Sequence, residues 1–401
     1  MLTTAGDQPR GRTGNDALRE APDAAAEGGP GPGADPGPGP GPVIVRTASG
    51  RPGRTEPAAV PATTVLFATR NRAEMLAEVL DCFARLEAPD GGWKLIVVDN
   101  GSSDATAELL AARAARLPLT ALSEPRAGKN RALNAALPHL SGDLVVLTDD
   151  DVLPRPDWLR QLRRASLEHP ETTLFGGTVL PHWSTTRPAW LTERSVPFSV
   201  LYAQQMRGDG PCSCDAIFGP NMAVRRAVFE SGFRFAEHVG PDESRRLYAM
   251  GGETEFLRRL EAAGYGGRFV AEATVGHIIR PQQIEEGWIL ERAYRYGFGE
   301  GRHYATRDGQ GRPVGFAKLR LRALAYGLLA AVLGPLPASP GRLRIRYRSR
   351  SLAGTLAALR DARTALRDAR TVPSERAADA AADRRHGSGE AAFQRCGGSD
   401  R

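Results

Sequence analysis

Three consecutive carboxylates, Asp149, Asp150 and Asp151, close the stretch LeuValValLeuThrAspAspAspVal at residues 144–152. The apolar run Leu144 to Leu147 has the pattern of a strand buried on both faces, so this stretch predicts a buried strand that delivers acid at its end. Unit charges about 4 Å apart repel by roughly 4 kcal/mol near a protein surface, and such a triplet therefore needs water or a cation. Oxygen ligands at the carboxyl edge of an open α/β sheet suit Mg²⁺ or Mn²⁺ carrying a diphosphate. A solvated acidic turn capping the next helix would use the same residues, and the surrounding chain has to decide.

The elements that must position this edge are readable upstream. ThrThrValLeuPheAlaThr, 63–69, predicts a strand ending at Thr69 and ArgAsnArg, followed by a helix over 73–87 with Met75, Leu76, Val79, Leu80, Phe83 and Leu86 on one stripe. TrpLysLeuIleValValAsp, 93–99, predicts a strand closing on Asp99, with AsnGlySerSerAsp as its turn and a helix from about 105 to 116. A short strand at 119–122 leads through GluProArgAlaGlyLysAsnArg into another helix and then to the acidic strand. Strands alternating with helices predict a Rossmann-like, mostly parallel sheet flanked by helices, at whose C-terminal edge Thr69, Asp99 and the Asp triplet converge. Asp99 could instead serve only its turn. Gly128 and Lys129 offer either a plain helix start or a backbone donor and an ammonium for phosphate. No GxxxxGK[ST] and no GxGxxG follows a strand, which excludes the common P-loop and dinucleotide fingerprints.

The composition allows one large domain with appendages: 401 residues, 41% apolar and 25% charged. Residues 1–61, rich in Pro, Gly and Ala and without periodicity, are expected to be disordered, as is the tail 373–401. The net charge of +7 permits contact with phosphates or an anionic surface. The arginines sit in a C-terminal block with little aromatic interleaving, so nucleic acid is not an expected partner. Cys212 and Cys214 lack zinc-site spacing, and with Cys82 and Cys396 they are expected as thiols in a reducing, cytoplasmic setting. The segment MetLeuThrThrAlaGlyAspGlnProArg has neither a charged lead nor an apolar run, so no secretory leader is expected.

Taken in order, these segments resemble the family 2 glycosyltransferases, inverting enzymes of the GT-A fold. ThrValLeuPheAlaThrArgAsnArg looks like that family's first strand, ValValAspAsnGlySerSerAsp like its second strand and turn, AlaGlyLysAsnArgAlaLeuAsn like its phosphate-side loop, and ThrAspAspAsp like its metal-binding DXD motif. The resemblance covers about residues 63–300 and implies a GT-A domain at 62–310. It implies a nucleotide-sugar site using Thr69, Arg72, Asp99, Arg126, Lys129, Asp149 and Asp150, with Asp99 at the base and Asp149 or Asp150 on the ribose side. Asp151 would hold a divalent cation, Mn²⁺ or Mg²⁺, with His277 reaching the metal or diphosphate. GlyProAsnMetAlaValArgArg, from 219, is similar to the acceptor-side segment and points to Gly219, Asn221 and Met222. The stretch GlyGlyGluThrGluPheLeu, from 251, resembles the one carrying the catalytic base, but Gly252 and Glu253 stand where the family usually has Glu-Asp. Glu253 is the base by this correspondence, with Glu255 or Asp242 as the fallback.

The implied reaction is metal-dependent, inverting transfer of a sugar from a nucleotide-sugar to a hydroxyl of a glycan, lipid-linked or small-molecule acceptor. A sugar-nucleotide nucleotidyltransferase would want a Gly-rich basic loop after the first strand, which ThrArgAsnArg is not; an inactive nucleotide-sugar-binding homologue is the other alternative. An amphipathic helix is expected at 288–297, and a basic, partly apolar helical extension at 311–372. Within it the apolar run 323–338 is short of the roughly 20 residues needed to span a bilayer. Its flanks carry Lys318, Arg320, Arg322, Arg342, Arg344, Arg346, Arg348 and Arg350 with no acid between Phe316 and Arg350. This pattern fits peripheral contact with an anionic membrane at the inner face of the plasma membrane, or a C-terminal helix packed on the enzyme.

Overall fold

The computed structural model describes residues 43–45, 60–240, 250–307 and 316–371. Along the chain run β1 (Val43–Val45), β2 (Thr63–Thr69), α1 (Ala73–Phe83), β3 (Trp93–Asp99), α2 (Thr106–Arg113), β4 (Leu119–Ser123), α3 (Lys129–Ala136), β5 (Leu144–Leu147) and β6 (Val152–Pro154). There follow α4 (Trp158–Glu168), β7 (Leu174–Trp183), α5 (Phe198–Tyr202), β8 (Gly210–Cys212), β9 (Met222–Arg225), α6 (Arg226–Glu230), α7 (Gly252–Ala262) and β10 (Gly267–Ile279). Three longer helices close the described chain: α8 (Glu286–Arg307), α9 (Phe316–Leu333) and α10 (Pro340–Thr371).

The strands form one sheet in the order β1-β4-β3-β2-β5-β9-β7-β10-β6, with β8 paired to β10. β4, β3, β2 and β5 are mutually parallel, and the sheet turns antiparallel where β9 meets β5 and β7. β3 and β4 lie on one side of β2 and β5 on the other, so the winding reverses between β2 and β5 and opens a crevice at their carboxyl ends. The apolar runs of these strands alternate between two cores. Val65, Phe67, Val97 and Val146 face α1, α2 and α4, whereas Leu66, Ile96, Val98 and Val145 face α3, α6 and α7. Burial on both faces is why the strands read as unbroken apolar runs.

One sequence expectation changes. Val43–Val45, assigned to a disordered lead, pairs antiparallel with β4 as an edge strand, as its β-branched residues favour; the rest of that lead up to residue 59, and the tail 373–401, lie outside the described residues. The final helix, within the extension expected at 311–372, begins at Pro340, where a proline at the first helical position sacrifices no hydrogen bond. α9 stops at Leu333, just before Gly334-Pro335.

α8 and α10 approach backbone to backbone. A Cβ on Gly297 would lie 1.9 Å from the Ser351 carbonyl oxygen, and one on Gly354 would lie 2.0 Å from that of Tyr294. Ile289, Leu343 and Tyr347 join Tyr202 and Ile279 in a third core that fastens this pair to the end of β10. Arg342 and Arg346 of α10 add ion pairs to Glu286 at 3.0 and 2.5 Å. Gly354→Val should destabilise the fold by about 1–3 kcal/mol, because the added methyls force the helices apart; thermal unfolding checks this, and an unchanged midpoint would contradict the close contact.

Candidate active site

The crevice at the switch point is a cleft of about 920 Å³, and one wall is the acidic edge. The turn after β5 puts Asp150 under β2, where Thr69 Oγ1 donates to its Oδ2 at 2.8 Å. Arg72, the residue that caps the start of α1, places Nη1 between two carboxylates, 3.1 Å from Asp150 Oδ1 and 3.0 Å from Asp151 Oδ2. Burial pushes the Asp150 carboxyl up to about 6 despite Arg72. Burial acts on Asp151 in the same direction, but His277 and Arg72 overcome it and hold that carboxyl well below the usual range.

His277 arrives from the far side of the sheet on β10. Its Nδ1 lies 2.6 Å from the Tyr202 carbonyl oxygen, which can only accept, so Nδ1 carries a proton and donates. Nε2 then faces Asp151 Oδ1 at 3.4 Å. Two lone pairs meeting there would repel, so the contact requires a proton on Nε2 or a cation between the atoms. Burial opposes the charged ring, yet Asp151 raises its pKa above the ordinary histidine value. A nitrogen and a carboxylate oxygen whose other positions are fixed by hydrogen bonds are oriented as metal ligands are. Among the described residues no three such side chains converge as a ready cage. Mg²⁺-type ions commonly take their remaining ligands from water and substrate phosphates, so Asp151 and His277 fit that use.

Across the cleft, Lys129 at the first position of α3 extends Nζ to Asp149 Oδ1 and Glu253 Oε1, each at 2.6 Å. Burial would lower the Lys129 pKa, but the two carboxylates more than reverse it and keep an ammonium. Lys129 in turn holds the Glu253 carboxyl below its ordinary range, against burial. Glu253 stands in the first turn of α7, and two glycines leave room around that turn. A Cβ on Gly252 would meet Asn130 Nδ2 at 2.7 Å, and one on Gly219 would meet Glu253 Cγ at 2.8 Å. The loop before α3 is held by Asn100, whose side chain donates to the carbonyls of Glu124 and Arg126 at 2.8 and 2.7 Å and accepts from Gly128 N at 2.9 Å.

Thr69, Arg72, Lys129, the Asp triplet, Gly219, Glu253 and His277 therefore share one cleft. Other expected residues do not line it. Asp99 pairs in register with Thr69 but turns Oδ1 to the Ser102 amide at 2.9 Å. Arg126 forks onto Glu124, with Nε and Nη2 at 3.0 and 2.9 Å, instead of facing the carboxylates. Asn221 is fully buried and spends its side chain on Trp158 Nε1 and the carbonyls of Thr178 and Ala273, because it bridges β7 and β10 beneath the cleft floor. Met222 is equally buried in the second core. Of the fallback bases, Glu255 does line the cleft but is engaged by Arg259 at 2.6 and 3.0 Å, and Asp242 lies outside the described residues. The described cysteines are free; Cys214 is buried, which pushes its thiol up to about 11.

Arg280 was missed from sequence. It follows β10 directly, lines the cleft, and is held by Gln283 Oε1 3.2 Å from its Nε. Burial and the neighbouring Arg72 lower its pKa, so two guanidiniums stand side by side at the acidic edge. A charged residue at the end of an apolar strand was the available signal, the same one that marked Asp99 and Asp149.

A reversal-point crevice with compensated carboxylates at the carboxyl ends of parallel strands is the arrangement of a nucleotide-binding α/β protein. Residues 64–233, less than half of the chain, match the family model described as Glycosyl transferase family 2, the family that the sequence resembles. The chain is 26% identical over 160 residues to the glucosyl-dolichyl phosphate glucuronosyltransferase of Haloferax volcanii, which covers 39% of this chain and 50% of that protein. It is 25% identical over 248 residues to glycosyltransferase AglE of the same organism, covering 60% of this chain and 73% of that protein. The chain thus spans half the length of the first relative and about three quarters of the second. Among solved structures it is similar to the mannosyltransferase PcManGT from Pyrobaculum calidifontis in complex with GDP-Man and Mn²⁺, with a TM-score of 0.45, 22% identity, and coverage of 83% of this chain and 82% of that one.

Asp150 and His277 both have folded pKa values above their ordinary ones. Groups of this kind contribute stability that is complete below the unfolded pKa and is lost as pH rises through the folded value. In chelator, the unfolding midpoint should therefore fall as pH rises through about 6, and Asp150→Asn should flatten that part of the profile. A wild-type midpoint constant across this range would contradict the assignment.

Proposed function

We propose that the protein is an inverting glycosyltransferase that moves a sugar from a nucleotide-sugar to a hydroxyl of a glycan, lipid-linked or small-molecule acceptor, with a divalent cation. The observation that supports this most is the pairing of Lys129 with both Asp149 and Glu253, which sets a carboxylate directly across the cleft from the acidic edge. Arg72 and Arg280 offer cationic donors to a diphosphate, and Asp151 with His277 would hold the cation, which when bound stabilises negative charge on the leaving diphosphate.

Glu253 is the base in this reading. Its depressed pKa keeps it ionised and ready to accept a proton from the acceptor hydroxyl. Drawing the Lys129 ammonium toward an arriving phosphate would loosen its hold on Glu253 and raise that group's proton affinity, so donor binding would prepare the base. A lipid-linked acceptor would bring the enzyme to the inner face of the plasma membrane, where its cleft could meet the lipid headgroup.

Glu253→Gln should cut transfer by about 10²- to 10⁴-fold while leaving nucleotide binding in place; wild-type turnover in that variant would remove the base assignment. A panel of nucleoside diphosphates and nucleotide-sugars, with and without Mn²⁺, should raise the unfolding midpoint for one donor, and Asp151→Ala should lose the metal-dependent part. Ligand at 100 times its Kd adds about 2.7 kcal/mol, enough to read. No shift with any nucleotide would favour a scaffold that has lost donor binding.

A further inference from the structure

Exposed large apolar side chains gather in one place on the described surface. Leu321, Leu324, Leu328 and Val332 are 68%, 62%, 63% and 72% exposed, and Leu329 and Leu336 are exposed beside them. Spacings of three, four and four residues put the first four on one stripe of α9. α9 has no buried residue, although its other side packs on α10. A stripe of this kind on a water-facing helix calls for a partner.

The charge around it narrows the choice. Lys318, Arg320 and Arg322 are exposed in the first turns of α9, and Arg344 and Arg348 are exposed on α10. Arg342 and Arg346 are already bound to Glu286. No acidic residue lies anywhere between Phe316 and Arg350. By helical spacing, Arg320 and Arg322 fall on opposite flanks of the Leu321 stripe, about 100° to either side. A second copy on this face would oppose two surfaces of the same sign. Among the described residues no helix is long and apolar enough to cross a membrane.

We propose that α9 lies in the plane of an anionic lipid surface, with Leu321, Leu324, Leu328 and Val332 in the acyl boundary and Lys318, Arg320 and Arg322 at the level of the lipid phosphates. α9 packs on α10, which meets α8 at the glycine contacts, and α8 lines the cleft through Trp288, Arg292 and Tyr296. The lipid-facing helix and the acceptor wall thus belong to one helical assembly. The inference does not rest on sugar transfer, because its readout is vesicle binding.

The full chain is sedimented with phosphatidylcholine vesicles and with phosphatidylcholine–phosphatidylglycerol vesicles at low and high NaCl. It should bind the mixed vesicles at low salt and leave them at high salt, as screening requires. Lys318→Gln, Arg320→Gln and Arg322→Gln should each weaken binding about fivefold. The double variant Leu324→Asp/Leu328→Asp should abolish sedimentation and keep the wild-type unfolding midpoint, both side chains being exposed. Equal binding to both vesicle types, binding untouched by the double variant, or no binding at low salt would overturn the proposal. So would a dimer, seen by light scattering, that the double variant dissolves while vesicles are never bound.

Discussion

Like charges crowded onto consecutive residues at a partly dry sheet edge cannot remain uncompensated, and most of the cleft is built around that requirement. Asp149, Asp150 and Asp151 arrive together because β5 ends where it does. Each is answered by a partner from a different element: the Arg72 guanidinium from the lead into α1, the Lys129 ammonium from α3, and the His277 ring from β10. The compensation is what draws distant segments to one point. Lys129 carries it further, since the ammonium that neutralises Asp149 is also the one that fixes Glu253 in the first turn of α7. The two halves of the domain are therefore joined at the cleft by charge as well as by the sheet.

The nucleotide half was legible because its physics is local. Each strand buried on both faces is an unbroken apolar run, each run ends in a polar or acidic residue, and the helices between them carry clean stripes such as Leu76, Val79, Leu80 and Phe83. Those same rules found Thr69 and the Asp triplet. The second half was less legible. Its strands are short or mixed in direction, and β10, thirteen residues long, alternates Gly, Thr, Glu and His with its apolar positions. Hydrogen-bond partners were out of reach from sequence altogether. Arg126 looks identical in one dimension whether it meets a phosphate or forks onto Glu124, and Asn221 shows its purpose only when Thr178 and Ala273 stand beside it. β1 escaped notice because an edge strand of three residues lacks enough pattern to separate it from a Pro/Gly-rich lead.

The C-terminal helices turn one sequence ambiguity into a division of labour. The arginines after residue 340 are not a single basic block: Arg342 and Arg346 bind Glu286, Arg350 lies over the Tyr294 ring at 5.0 Å, and Arg344 and Arg348 face outward. The packed-helix reading describes α10, and the proposed lipid contact falls on different residues of the same segment, those of α9.

Gly252 and Asn130 form a lock with its own consequence. Asn130 is nearly fully buried and donates to the carbonyls of Ala236 and Val239 at 2.8 and 2.9 Å, so its amide cannot retreat from a side chain placed at 252 without releasing that loop. A side chain at 252 would have to displace the amide that holds the 236–239 turn, so Gly252 and Asn130 are fitted to each other. A change at either position is thereby felt at the other, and through it at the 236–239 turn, by way of a single buried amide.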